Sequence, residues 1–233
     1  MQDPDSESFR SKYPPIIAQM PEVFDAHQFI LRLARGNQAL YVKKLWGRVQ
    51  NEAAAPFQNL HNTLARDLNY PPSSALVVKF GDTISPDIFG KPSPCSVWKK
   101  VKPEEACASE QTIIALPGNG TDLTTPVHEG AQKMQDLGLT LLLQEYPSII
   151  AQMNDEFDSH EFILRLAKLN QAPYVELLWR HVERRTQAPF RAVHGMLSRC
   201  LCDFPSLVDR LPDEPSRDIF GDACPNARWK KKV

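Results

Sequence analysis

The feature that most constrains this chain is that it contains one sequence twice. Tyr13-Pro14-Pro15-Ile16-Ile17-Ala18-Gln19-Met20 returns as Tyr146-Pro147-Ser148-Ile149-Ile150-Ala151-Gln152-Met153, and Phe29-Ile30-Leu31-Arg32-Leu33-Ala34 as Phe162-Ile163-Leu164-Arg165-Leu166-Ala167. Asn37-Gln38-Ala39 matches Asn170-Gln171-Ala172, and Ala55-Pro56-Phe57 matches Ala188-Pro189-Phe190, all at an offset of 133. Between 13–71 and 146–204, 31 of 59 positions are identical, far more than chance allows. A two-residue deletion then moves the offset to 131, where Asp87-Ile88-Phe89-Gly90 matches Asp218-Ile219-Phe220-Gly221 and Trp98-Lys99-Lys100 matches Trp229-Lys230-Lys231. Met1-Gln2-Asp3 also aligns with Met134-Gln135-Asp136, as a fusion of two adjacent reading frames would leave it. Two copies with a long spacer are not a solenoid, whose units number three or more and stack directly.

This pattern divides the chain into copy one at 1–101, a linker at 102–125 and copy two at 126–233. The linker is polar and turn-rich around Pro117-Gly118-Asn119-Gly120, with a short strand expected at Thr112–Leu116. From Thr125, an N-cap followed by Pro126 at N1, an apolar helix is expected over 126–144, with Val127, Ala131, Met134, Leu137 and Leu141 on one face. Copy one has Pro4-Asp5-Ser6-Glu7 in its place.

Within a copy, periodicity predicts three helices. The first starts at Asp25 or Asp158, where Asp-x-x-Gln and Asp-x-x-Glu form capping boxes, and buries Phe29, Ile30 and Leu33. The second has Asn37 or Asn170 as N-cap and buries Tyr41, Val42, Leu45, Trp46 and Val49. The third opens at Ala55-Pro56 with Phe57, Leu60, His61, Leu64 and Leu68 along one stripe. An extended stretch, the Asp-Ile-Phe-Gly turn and a tryptophan folded back onto the helices complete the copy. The expected fold class is mainly α: two tandem copies of a small three-helix module, each followed by a short β or irregular C-terminal segment.

Charge narrows the partners. The 27 basic and 28 acidic residues leave a net charge of −1, so no overall field draws the chain to nucleic acid or anionic lipid. The longest apolar run, near Leu139–Leu143, is far short of a membrane span, and the polar N-terminus is unlike a signal peptide, so a soluble cytoplasmic protein is expected. The five cysteines, at 95, 107, 200, 202 and 224, occupy no matching positions in the two copies, which argues for free thiols. Cys200-x-Cys202 has no companion ligands nearby in sequence, and no metal or other cofactor is expected.

No nucleophile elbow, phosphate loop or zinc-protease motif is present, so no catalytic residue is assigned. His61 and His194 in the helix-three stripe, and His27 and His160 beside Asp25 and Asp158, read as core histidines before they read as a metal or acid–base site. The expected function is a non-catalytic binding protein whose partner is another protein, with paired copies giving avidity. The alternative is DNA binding by a winged helix-turn-helix-like arrangement in each copy. It would use Gln58, Asn59, Asn62 and Arg66 in copy one, Arg184, Arg185, Arg191 and Arg199 in copy two, and Lys99 and Lys230 beside the tryptophans.

Overall fold

The computed structural model describes residues 9–101 and 137–232. The linker, its expected strand and the 126–136 part of the lead-in helix lie outside the described residues. Copy one runs α1 (Tyr13–Gln19), β1 (Val23–Asp25), α2 (Ala26–Gly36), α3 (Gln38–Gln50), α4 (Pro56–Asp67), β2 (Val77–Pro86) and β3 (Pro92–Lys100). Copy two repeats this order as α5 (Leu137–Ala151), β4 (Glu156–Asp158), α6 (Ser159–Leu169), α7 (Gln171–Glu183), α8 (Pro189–Cys200), β5 (Val208–Arg217) and β6 (Ala223–Lys231).

The mainly helical expectation is overturned. Of the described residues 54% are helical and 23% are in strands, which form two three-stranded antiparallel sheets. Their orders are β1-β3-β2 and β4-β6-β5. Two physical causes hid the sheets. First, β1 and β4 are three residues long, too short for any periodicity, and their partners are more than 70 residues away: Phe24 pairs with Trp98, and Phe157 with Trp229. Second, the hairpins carry prolines, which normally argue against a strand because they cannot donate to the ladder. Here β1 reaches only Val97–Lys99 of the central strand, so Pro94 stands where β3 has a single neighbour, and Pro225 is placed the same way in β6. Pro212 falls where the β5–β6 register shifts, between Leu211 and Glu214.

Local chemistry sets the helix ends. Asp25 accepts from the Gln28 backbone N–H at 2.8 Å while Gln28 Oε1 accepts from the Asp25 N–H, and Asp158 and Glu161 do the same. Asn37 and Asn170 are the N-caps of the next helices, their carbonyls accepting from the Tyr41 and Tyr174 N–H groups, but their side chains serve the preceding helices: each donates its amide to the carbonyl four residues back, at Leu33 and Leu166. Pro56 and Pro189 sit in the first turn, where a missing N–H costs nothing. In the Asp-Ile-Phe-Gly turn, Asp87 Oδ1 accepts from the Phe89 and Lys91 N–H groups, and Gly90 adopts φ +73°. Ile88 is buried and Phe89 meets Phe57 edge-on at 5.0 Å, so the hairpin tip folds down onto the start of α4.

Trp98 and Trp229 are buried against the helices, with β3 and β6 as central strands. Of the lysines that follow, Lys100 Nζ donates to the Ala18 carbonyl at 2.9 Å and Lys231 Nζ to that of Met153 at 3.1 Å, at the ends of α1 and α5.

The two copies pack into one body through α3 and α7. Trp46 stacks on Trp179 with centroids 6.4 Å apart and planes 7° from parallel. Tyr41 meets Phe190 and Phe57 meets Tyr174, each at 6.2 Å. Because Tyr41 corresponds to Tyr174 and Phe57 to Phe190, these contacts are reciprocal, the signature of a two-fold interface made within one chain. Arg35 to Asp222 at 2.7 Å is an added ion pair between the copies.

Candidate functional site

The residues singled out by sequence fall on separate parts of the surface. The DNA-reading set is only partly assembled. Gln58, Asn59, Asn62 and Arg66 are all exposed on α4, and Asn62 and Arg66 line a cleft of about 350 Å³ together with Lys79 of β2. In copy two, Arg191 and Arg199 line a cleft of about 810 Å³ with Arg210. Several charges there are already answered: Lys79 pairs with Asp82, Arg210 with Asp213, and Arg35 with Asp222. Arg184 and Arg185 lie at the end of α7, outside these clefts, and Lys99 and Lys230 lie on the central strands. Neither pair joins the helix-three face.

A second surface comes from the lead-in helix. α5 is nine residues longer at its start than α1, and these added two and a half turns lie along α7. Leu142 is fully buried there, with Leu139 and Leu143 packed beside it. Gly138 permits the approach, since a Cβ at that position would stand 3.3 Å from the Pro173 carbonyl oxygen. Leu137 and Leu141, the expected stripe, are the exposed side: the buried face is one residue further on. Under the added segment the Glu176–Arg180 ion pair, at 2.8 Å, is only 19% and 13% exposed.

In copy one the positions aligned with 137–141, residues 4–8, lie outside the described residues, and Phe9, aligned with Leu142, is helical and buried in the same way. A groove of about 730 Å³ runs there between α3 and α4, floored by Phe9, Trp46, Leu60 and Leu64. Its rim carries Arg10, Lys43, Lys44, Arg48 and Arg66 against Asp67 and Glu183. Asp67 is engaged by Arg10 at 2.7 Å, and Arg48 Nη2 donates to Thr63 Oγ1 at 3.3 Å, which leans the guanidinium along the groove wall. Lys43 and Lys44 correspond to Glu176 and Leu177, so one copy has a basic rim where the other has an acid and a leucine. Sequence alone named the lead-in helix but not its seat; the charge swap along helix two was the available signal.

The histidines form the third surface. His61 Nε2 and Tyr41 Oη are 2.6 Å apart, and His194 and Tyr174 repeat this at 2.7 Å. Burial, helped by the neighbouring His27 or His160, pushes each of these imidazoles down to a pKa of about 3, so both are neutral. They are satisfied core residues, with a tyrosine as the partner. His27 and His160 are only half-buried, at the mouths of the helix–hairpin clefts. Asp25, His27 and Cys95 place one donor atom each within 4.8 Å of one another.

No protein-family model, curated protein or solved structure matches this chain. Among the described residues, no helix is long and apolar enough to cross a membrane.

Proposed function

We propose that this chain is a non-catalytic binding protein whose partner is a protein presenting an amphipathic helix with acidic residues, taken up by the α3–α4 groove of copy one. One observation supports this reading: the α3–α4 groove of copy one is apolar at its floor, with Phe9, Trp46, Leu60 and Leu64, and basic at its rim, with Arg10, Arg48 and Arg66. The floor of Phe9, Trp46 and Leu64 suits the leucine spacing of α5, which is how an amphipathic helix docks in a groove. The rim selects acidic flanks and speeds encounter. The test is anisotropy of a labelled peptide carrying the Leu139/Leu142/Leu143 spacing with glutamates on its flanks. Binding that weakens with salt and is lost in the Arg48→Glu/Arg66→Glu double variant supports the reading. Absence of binding, or binding indifferent to those changes, sinks it.

A second reading, DNA binding through α4 and α8, is favoured by the exposed Asn62 and Arg66 sharing a cleft with Lys79. It requires micromolar duplex binding that falls steeply with salt and is weakened by Arg66→Ala and Arg199→Ala. The ion pairs that occupy Lys79, Arg210 and Arg35 place it behind the first.

A further inference from the structure

Cysteines do not align between the copies, yet each copy brings one to the same histidine. In copy one Cys95 lies beside His27. In copy two the residue aligned with Cys95 is Asn226, and the cysteine stands two residues earlier, at 224, where copy one has Ser93. Residues two apart on a strand share a face, so either position can approach the histidine at the start of the preceding helix. Cys224 Sγ is 3.9 Å from His160 Nε2.

The aspartates differ. Asp158 is locked, with Asn226 Nδ2 donating to Oδ1 at 2.9 Å and Ser216 Oγ to Oδ2 at 2.8 Å. In copy one the aligned serine, Ser85, has turned away from the aspartate. Its hydroxyl lies 2.9 Å from His27 Nδ1 and 3.2 Å from Cys95 Sγ, gathering those two side chains toward one point. The helix cap uses Asp25 Oδ1.

We propose that Asp25, His27 and Cys95 form a binding site for a zinc-class divalent cation at the mouth of the α2–α4–hairpin cleft of copy one. The donor set is right for such an ion: one thiolate, one imidazole and one carboxylate, leaving a position for water. Zinc–nitrogen bonds of about 2.0 Å and zinc–sulfur bonds of about 2.3 Å draw tetrahedral donors to about 3.5 Å apart. From separations within 4.8 Å that is a contraction of about an ångström, within reach of side-chain rotation. Binding displaces the Cys95 thiol proton to solvent, so uptake releases acid and strengthens as pH rises. Copy two, with its carboxylate committed, binds such an ion far more weakly.

The test is titration of the reduced full chain with cobalt(II), followed by its ligand-field bands and thiolate-to-metal charge-transfer band, then displacement by zinc. One equivalent is expected. The charge-transfer band is lost in Cys95→Ser and kept in Cys224→Ser, and Asp25→Asn, which retains a capping side chain, lowers affinity by at least about ten-fold. A far-ultraviolet spectrum of Cys95→Ser matching the parent excludes loss by unfolding. Absence of the band, or a band that survives Cys95→Ser and disappears with Cys107, Cys200 or Cys202, overturns the proposal.

Discussion

Copy one and copy two share a framework and differ in how they finish it. Their aromatic cores correspond nearly residue for residue, from Tyr13 and Tyr146 to Trp98 and Trp229, and all of these are buried. The differences lie in what covers or completes that core. Copy two closes its α7 flank with its own helix, satisfies Trp229 Nε1 with Ser159 Oγ at 2.8 Å, and ties Ser159 to Ser198 at 2.7 Å. Copy one has Ala26 and Ala65 at those serine positions, and Trp98 Nε1 has no hydrogen-bond partner among the described residues. The lesson is that one scaffold tolerates two versions of the same polar positions side by side, one with its aspartate tied down by serine and asparagine and one without those ties.

The comparison can be broken most sharply at the added helix. Leu142→Ala removes a fully buried side chain from the α5–α7 contact and is expected to cost about 2–5 kcal/mol in urea denaturation. A cost under about 1 kcal/mol would mean that α5 does not close copy two. Next comes acid. His194, facing Tyr174 and His160, is held at a pKa of about 3 by burial, against about 6.5 in the unfolded chain. Its folded pKa is lowered, so the unfolded state binds the extra proton between these values. Stability is complete above pH 6.5 and falls by about 1.4 kcal/mol per pH unit below it, with His61 adding a like amount. Tm measured from pH 7.5 to 4.5 checks this, and a flat profile refutes neutral buried histidines.

The serine network offers a reciprocal pair. Ser159→Ala leaves the Trp229 N–H unpaired and should cost about 1–3 kcal/mol, whereas Ala26→Ser supplies the partner that Trp98 lacks and should gain about 0.5–1.5 kcal/mol. Equal effects in both copies would erase the contrast. The smallest effect is expected at the shared seam. A double-mutant cycle of Trp46→Ala and Trp179→Ala should give a coupling of about 0.5–1.5 kcal/mol by the same denaturation.

Much of this was legible in the chain itself. The duplication, the capping aspartates at 25 and 158, the apolar stripes of three helices and the inward tryptophans all follow from local patterns, and local patterns survive in sequence. The sheets did not, because β1 takes its conformation from a strand more than 70 residues downstream, and Pro94 and Pro225 imitate turns while occupying strand positions with one neighbour. The candidate sites were visible in part. His27 beside Asp25 was readable, but Cys95 reaches them only through the hairpin. The basic groove was not readable, because it forms only where α3 packs beside α4 and neither helix shows it alone.

Reciprocal packing through Tyr41, Phe57, Tyr174 and Phe190 has a consequence for what each copy is permitted to become. A homodimer of one such module would repeat every surface change on both subunits, so a groove opened on one side would open on the other. Joined in a single chain, the halves meet at an effective concentration set by their tether rather than by expression level. Each half then holds the other in place at any dilution, and a change made on one half need not be repeated on the other.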